Sequence, residues 1–495
     1  MRLKIKLLSL LLVSALFIIS CDDFTEIDAP VQNGTSGNAN FSRFVTIGNS
    51  ITAGYQSGTI YQSGQMYSYG NLIAKQVGVD FQIPYVSDPG LGGRMELQDL
   101  LPTIYYNPSM GSFLNANYPA PYNNLGVPGA LAYDVLFATN STNCASALFA
   151  NTPNPYFDYI LRGKGTQLEQ GLSLAPTFIT LWIGNNDVLG YATSGGTSPS
   201  APTDPAQFTQ LIGGMAQGIQ QFKDQTNSNP GVVFANVPSV TAIPFFTSVG
   251  PLVALNPAVN WGQIRALQLG SGLPATGLIY GSHEGGTNLG QLPYNIGFAD
   301  SVALLTNSTL VTLRGSAYAS LLGQPTGKFY RDNNLPIPLG VDTTQLFGFH
   351  PQNPFPDAFV LDPDEITTAG TAVAAYNSRI AGVAQNFGFG LVDVNTKFNE
   401  FRAGDFVGGT VVNGIKFKTS YITGGLFSLD GVHPSSQAHG IVANEFIKVI
   451  NSKYGANIPL VDVSTIPGSI LFSGKISFKN GYPIIPSKAF EHLLF

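Results

Sequence analysis

Charge and cysteine are both scarce in this chain. Only 11% of its 495 residues are Asp, Glu, Lys or Arg, against about a quarter in ordinary globular chains. The net charge is −6, and no basic cluster follows the N-terminal segment. That pattern excludes a nucleic-acid binder, which needs a basic patch to meet phosphates. There are two cysteines, Cys21 and Cys144. If Cys21 is modified, Cys144 has no partner and no internal disulfide is expected. After the N-terminal segment no run of about 18 apolar residues recurs, so no transmembrane helix is expected. His283-Glu284 and His350 stand without partners at ligand spacing, so neither a metal nor a cofactor is expected.

What the chain does have is apolar surface and turns. Hydrophobic residues make up 44%, with 56 Gly and 33 Pro. A sizeable core with many structured loops follows, as one large decorated domain or as two or three ordinary ones. The N-terminus, "MRLKIKLLSLLLVSALFIISC", sets Arg2, Lys4 and Lys6 before an apolar stretch that ends at Cys21. This is a signal peptide over 1–20. Its end resembles a bacterial lipobox, which implies lipidation at Cys21 and anchoring to a membrane without a spanning helix. Asp22-Asp23 resembles the acidic export signal on surface lipoproteins of Bacteroidetes-type bacteria. The expected location is the cell envelope, at the outer membrane. Small polar residues over 21–40 read as a tether.

From residue 41 to 455 apolar runs alternate with helical patterns. "FSRFVTIGNS", "PTFITLWIG", "GVVFANVPSV" and "FGLVDV" read as buried strands. Residues 69–79, 204–226, 362–388 and 435–455 read as helices, and 389–401 as a strand followed by a turn. This alternation predicts an α/β fold, a parallel sheet between helical layers. Turn-rich stretches at about 88–120 and 249–361 read as insertions over the strand C-termini. The segment 456–495 reads as a C-terminal tail.

The chemistry concentrates at four places. Ser50 ends the first strand at Gly48-Asn49-Ser50. Asp430 and His433 stand three apart in "SLDGVHP". An acid that holds one ring nitrogen of a histidine leaves the other free as a base, and a serine needs such a base to become a nucleophile. Gly129 offers a backbone N–H with no side chain in the way, and Asn186 an amide, as donors to an oxyanion. Each is also an ordinary turn residue. An Asp-x-x-His pair alone equally suits a helix cap.

Taken in order, Gly48-Asn49-Ser50, Gly129, Gly184-x-Asn186-Asp187 and Asp430-x-x-His433 resemble the four blocks of the SGNH (GDSL-type) hydrolases. The resemblance implies a flavodoxin-like three-layer α/β/α sandwich with a parallel sheet of about five strands. It implies Ser50 as nucleophile, His433 as general base and acid, and Asp430 as its orienter. The oxyanion hole would be the Ser50 and Gly129 N–H groups with the Asn186 side chain. One departure is Asn49, where the family carries Asp. The amide keeps an acceptor and loses the charge.

The function that follows is a serine ester hydrolase of the cell envelope, acting on lipid acyl esters or carbohydrate O-acetyl esters. A transferase follows instead if water is excluded. The reading from another class is a non-catalytic surface lipid- or glycan-binding lipoprotein that keeps the fold. Tyr55, Tyr67, Tyr105 and Tyr106 are aromatic candidates for a cleft, and His439 reads as a packing or surface histidine.

Overall fold

Apolar runs without alternation belong to strands covered on both faces, and such runs build the centre of this protein. The computed structural model describes residues 34–98, 104–197, 201–270, 277–283, 286–287 and 294–468. The signal segment, Cys21 and most of the expected tether lie outside the described residues, as does the tail beyond 468. The central strands are β1 (Phe44–Gly48), β2 (Asn124–Gly126), β3 (Phe178–Trp182), β4 (Gly231–Ala235) and β5 (Gly390–Val392). They pair in parallel in the order β2-β1-β3-β4-β5, the flavodoxin-like arrangement.

Helices cover both faces. They include α1 (Ser50–Ala53), α2 (Tyr69–Val77), α3 (Gln167–Ser173), α4 (Asn186–Thr193), α5 (Pro205–Thr226), α6 (Pro363–Asn386), α7 (Val394–Asp405) and α8 (Ser436–Tyr454). Side chains alternate along a strand, and β3 shows the outcome. Ile179 and Leu181 join the cluster with Phe208 of α5 and Tyr376 of α6. Phe178 and Trp182 join the one with Leu72 of α2 and Phe446 of α8. The two long helices on the first face start on aspartates. Asp204 accepts from two N–H groups of α5, and Asp362 from two of α6, each just ahead of a proline at the first helical position.

Gly48 lets α1 sit against the sheet. A Cβ there would come within 2.4 Å of the Trp182 carbonyl oxygen. The strand therefore ends where the chain can turn at once into Ser50.

Three readings need correction. The turn expected after the strand within 389–401 is the start of α7, a 12-residue helix capped by the Asp393 carboxylate on the Thr396 N–H. Residues 456–468 do not hang as a tail. Ile458, Val461, Val463 and Ile466 are buried, and the Asn444 side chain of α8 holds Val461 at both its N–H and its carbonyl. Residues 35–40 are tied down as well. Asn38 N–H donates to the Tyr454 carbonyl at 2.8 Å and Asn457 N–H to that of Thr35 at 2.7 Å.

The stretch 88–120 holds an antiparallel hairpin, Arg94–Leu97 with Ile104–Asn107. Arg94 bridges Asp88 at 2.7 Å and Glu96 at 2.9 Å. The described part of 249–361 holds short helices and the hairpin Leu278–Ser282 with Asn295–Ala299. Its Val253, Leu304, Leu313 and Phe355 belong to the same apolar cluster as β1 and β3.

Candidate active site

Ser50 stands directly beyond β1, as the first residue of α1. Asn49 caps that helix, its side-chain oxygen accepting from Ile51 N–H at 3.1 Å. Its Nδ2 donates to the Asn185 side-chain oxygen at 3.0 Å, a bond no ionised carboxylate at position 49 can donate. The Asn in place of Asp thus joins the ends of β1 and β3. It also engages Asn185, leaving Asn186, the first residue of α4, as the amide that reaches the loop after β2.

Across a sequence separation of 383 residues, His433 Nε2 lies 2.8 Å from Ser50 Oγ. His433 Nδ1 lies 3.0 Å from Asp430 Oδ2. All three residues are buried, with Asp430 fully so. Asp430 Oδ1 accepts the N–H groups of Val432 and His433, and Oδ2 also accepts that of Gly58 at 3.2 Å. Burial alone pushes the Asp430 carboxyl up. The adjacent His433 ring and these hydrogen bonds outweigh it and bring the carboxyl below its ordinary range. Asp430 is therefore an ionised acceptor that fixes the ring so that Nε2 faces Ser50.

The loop bearing Asp430 and His433 is itself anchored. Ser57 N–H donates to Ser428 Oγ at 2.9 Å, and Leu429 N–H to Ser57 Oγ at 3.3 Å. The Tyr55 ring packs on His433 with centroids 4.6 Å apart. Tyr106 instead donates to the Gly92 carbonyl. Leu313, from the 249–361 stretch, faces Gly431, where a Cβ would come within 2.6 Å of its side chain.

Gly129 follows β2 at a φ of 78°, a left-handed conformation that favours glycine. Its surroundings hold the loop from both ends. Asn154 Nδ2 donates to the Pro128 carbonyl at 2.8 Å, and Asn186 Nδ2 to that of Ala130 at 2.9 Å. Asp134 accepts from Leu131 N–H at 2.8 Å, and Asp187 from Ala132 N–H at 2.9 Å. The N–H groups of Ser50 and Gly129 are left without an acceptor among the described residues. Burial pushes Asp187 up to about 6 and Asp134 up to about 7, against the pull of the N–H groups they hold.

The expected site residues Ser50, His433 and Asp430 thus meet. Gly129 and Asn186 meet each other's loop. Sequence reasoning missed Gly58, Ser57, Ser428, Asn154 and Asp134, and it gave Asp187 no role. Only Asp187 had a visible signal, its place beside Asn186. His439 is fully buried, and neither ring nitrogen has a partner among the described residues. Burial and the nearby His433 lower its pKa to about 3. Cys144 is a free, buried thiol. Among the described residues no cluster of three or more His, Cys, Asp or Glu is placed to hold a metal ion, and no helix is long and apolar enough to cross a membrane.

The sequence model of the GDSL-like lipase/acylhydrolase family matches residues 44–264. Residues 44–264 are thus similar to a GDSL-like lipase/acylhydrolase domain. The matched span holds Ser50, Gly129 and Asn186. Asp430 and His433 come from beyond it. No curated protein matches the chain. Three solved structures are similar at low identity. An α/β hydrolase enzyme from the metagenome of Lake Arreo, Spain, is 11% identical with a TM-score of 0.32, over 84% of this chain and 98% of that one. The lipase/acylhydrolase from Enterococcus faecalis is 10% identical with a TM-score of 0.30, over 84% and 98%. The extracellular lipase from Streptomyces rimosus is 13% identical with a TM-score of 0.29, over 83% and 98%. The GDSL-like family and the α/β fold support an esterase- or lipase-type hydrolase.

Proposed function

We propose that this protein is a serine ester hydrolase of the cell envelope, lipid-anchored through Cys21, that works through an acyl-enzyme on Ser50. The observation that carries the reading is the hydrogen-bonded series Ser50 Oγ, His433 Nε2, His433 Nδ1, Asp430 Oδ2, at 2.8 and 3.0 Å.

Ser50 Oγ attacks the ester carbonyl carbon while His433 Nε2 takes its proton. Negative charge then gathers on the former carbonyl oxygen. The Ser50 and Gly129 N–H groups and the Asn186 amide meet it, with no reorganisation of their own. Asp430 steadies the imidazolium without taking the proton. The tetrahedral centre collapses, the C–O bond to the alcohol breaks, and His433 gives that alcohol its proton. Water repeats the sequence with His433 as base, releasing the acid and restoring Ser50. No cofactor enters. The substrate class is lipid acyl esters or carbohydrate O-acetyl esters.

Ser50→Ala should abolish both ester turnover and labelling by a fluorophosphonate probe, since only an activated serine reacts. Turnover at the wild-type rate in Ser50→Ala would remove the mechanism. Failure of the wild-type protein to label would favour a non-catalytic binding protein.

A further inference from the structure

The helix that begins at Ser50 is only four residues long, and the chain after it turns back toward the site. Gln56 and Thr59 pair as an isolated antiparallel bridge, each N–H donating to the other's carbonyl, at 3.0 and 3.2 Å. Between them Ser57 has a φ of 51° and Gly58 one of 90°. Two positive φ values between paired residues mark a type I′ hairpin turn, which asparagine followed by glycine ordinarily fills. Glycine adopts such a conformation freely. Serine does not, because its Cβ crowds the following carbonyl oxygen there. A fully buried serine held in that conformation points to a role beyond the turn itself.

Its polar groups show where that role lies. Ser57 N–H donates to Ser428 Oγ at 2.9 Å, and Ser57 Oγ accepts from Leu429 N–H at 3.3 Å. Gly58 N–H donates to Asp430 Oδ2 at 3.2 Å, on the same oxygen that faces His433 Nδ1. Gln56 Oε1 accepts from the Ser436 hydroxyl at 3.2 Å. The turn therefore grips the catalytic loop at 428, 429 and 430 before His433, and at 436 after it. It is braced from behind. Met95 N–H, in the hairpin strand Arg94–Leu97, donates to the Ser57 carbonyl at 2.8 Å. The Tyr55 hydroxyl donates to the Gly58 carbonyl at 2.5 Å. Nucleophile and orienting acid are thus joined by a short stretch of chain that does not pass through His433.

We propose that this turn is the positioning element for the Asp430 carboxylate and that Ser57 is its positioning residue, an inference that rests on the hydrolase reading of Ser50. Ser57 touches neither the substrate nor the reacting atoms. It fixes the loop that carries Asp430 Oδ2, and that oxygen fixes the edge His433 turns to Ser50. Without the hydroxyl, the N–H of buried Leu429 loses its acceptor, and the loop is free to shift.

The test uses Ser57→Gly, which keeps the turn and removes the hydroxyl, and Ser428→Ala, which removes the acceptor of the Ser57 N–H. Kinetics on p-nitrophenyl acetate, thermal melting and the rate of fluorophosphonate labelling are read together. In each variant kcat and the labelling rate should fall by about tenfold or more, toward the roughly 10²-fold that a displacement of about 1 Å costs, with little change in KM. The double variant should cost less than the product of the singles, because both act through one contact. Ser57→Gly should still melt cooperatively near the wild-type temperature, since relief of the strained φ offsets the lost hydrogen bond. An unchanged kcat in either variant overturns the proposal, and so does a loss of kcat that only follows a lowered melting temperature. A second readout needs no turnover. The Nδ1–H of His433, held against Asp430, gives a downfield proton resonance, assigned by its loss in His433→Gln. A resonance that shifts or broadens in Ser57→Gly supports the positioning role even if wild type neither labels nor hydrolyses any ester, in which case only the hydrolase reading falls. A resonance identical in the two proteins, or absent from wild type, overturns that role.

Discussion

Asn186 has two amide hydrogens, and one is committed to the Ala130 carbonyl. The second is the one available to a developing oxyanion. Asn186→Ala should lower kcat by roughly 10²–10³ with little change in KM, as loss of a single such donor does. Steady-state kinetics on a soluble ester decides this, and an unchanged kcat would remove Asn186 from the site. Its neighbour Asp187 gives a pH signature. Burial raises its carboxyl from 3.8 to about 6. A raised acid contributes stability that is fully present below about pH 3.8 and is lost as pH rises through about 6, on the order of 3 kcal/mol. Asp187→Asn keeps an acceptor for Ala132 N–H and can donate to the Thr203 hydroxyl, which now donates to Asp187 at 2.9 Å. The variant should therefore show a shallower fall in stability between pH 4 and 7 by urea denaturation, and an unaltered slope would count against the assignment. Ser50, Asp430 and His433 were legible in the sequence because the motif they resemble sets those side chains near particular glycines and asparagines. Asn154 and Asp134 were not. Asn154 holds the Pro128 carbonyl and Asp134 the N–H groups of Leu131 and Ala145, and an Asn or Asp that ties down backbone in this way looks like any turn residue.

At the scale of the element, the strand-to-helix step at Gly48 to Ser50 is the most constrained piece of chain. Gly48→Ala would bring a Cβ within 2.4 Å of the Trp182 carbonyl and 2.2 Å of Thr52 Oγ1. The threonine hydroxyl can rotate, but the carbonyl belongs to β3 and cannot move without the sheet. The expected outcome is a lower Tm and a fall in kcat of roughly 10²-fold from misplacing Ser50. Circular dichroism melting read beside kinetics would separate that from simple unfolding. The central strands were legible because β1, β3 and β4 are apolar runs broken by at most one threonine each, and α5 and α6 because their Asp-Pro starts announce them. α7 was misread for a local reason. Asp393, Asn395 and Thr396 are turn formers in isolation, and only the docking of Phe401 and Phe398 against their neighbours tips the segment to helix.

At the scale of the whole molecule, the described residues from Thr35 onward form one compact unit, and its closure depends on the segment after α8. Removing residues 457–495 would strip Ile458, Val461, Val463 and Ile466 from the core. At about 1.5–3 kcal/mol per buried aliphatic side chain, that loss rivals the 5–15 kcal/mol that holds a typical domain together. The truncated chain should lose its cooperative melting transition, and a sharp transition near the full-length Tm would contradict the packing. This segment was illegible in sequence because its apolar residues are spaced by Pro, Asp and Ser, with no regular period to betray burial. The distance in sequence between Ser50 and His433, 383 residues, also orders events in time. A ribosome adding about 5–20 residues per second delivers the histidine roughly 20–80 s after the serine. Through that interval the serine is an ordinary alcohol. On the mechanism proposed above, the newborn chain is chemically silent until the loop before its last long helix docks, so the serine is armed by the completion of folding.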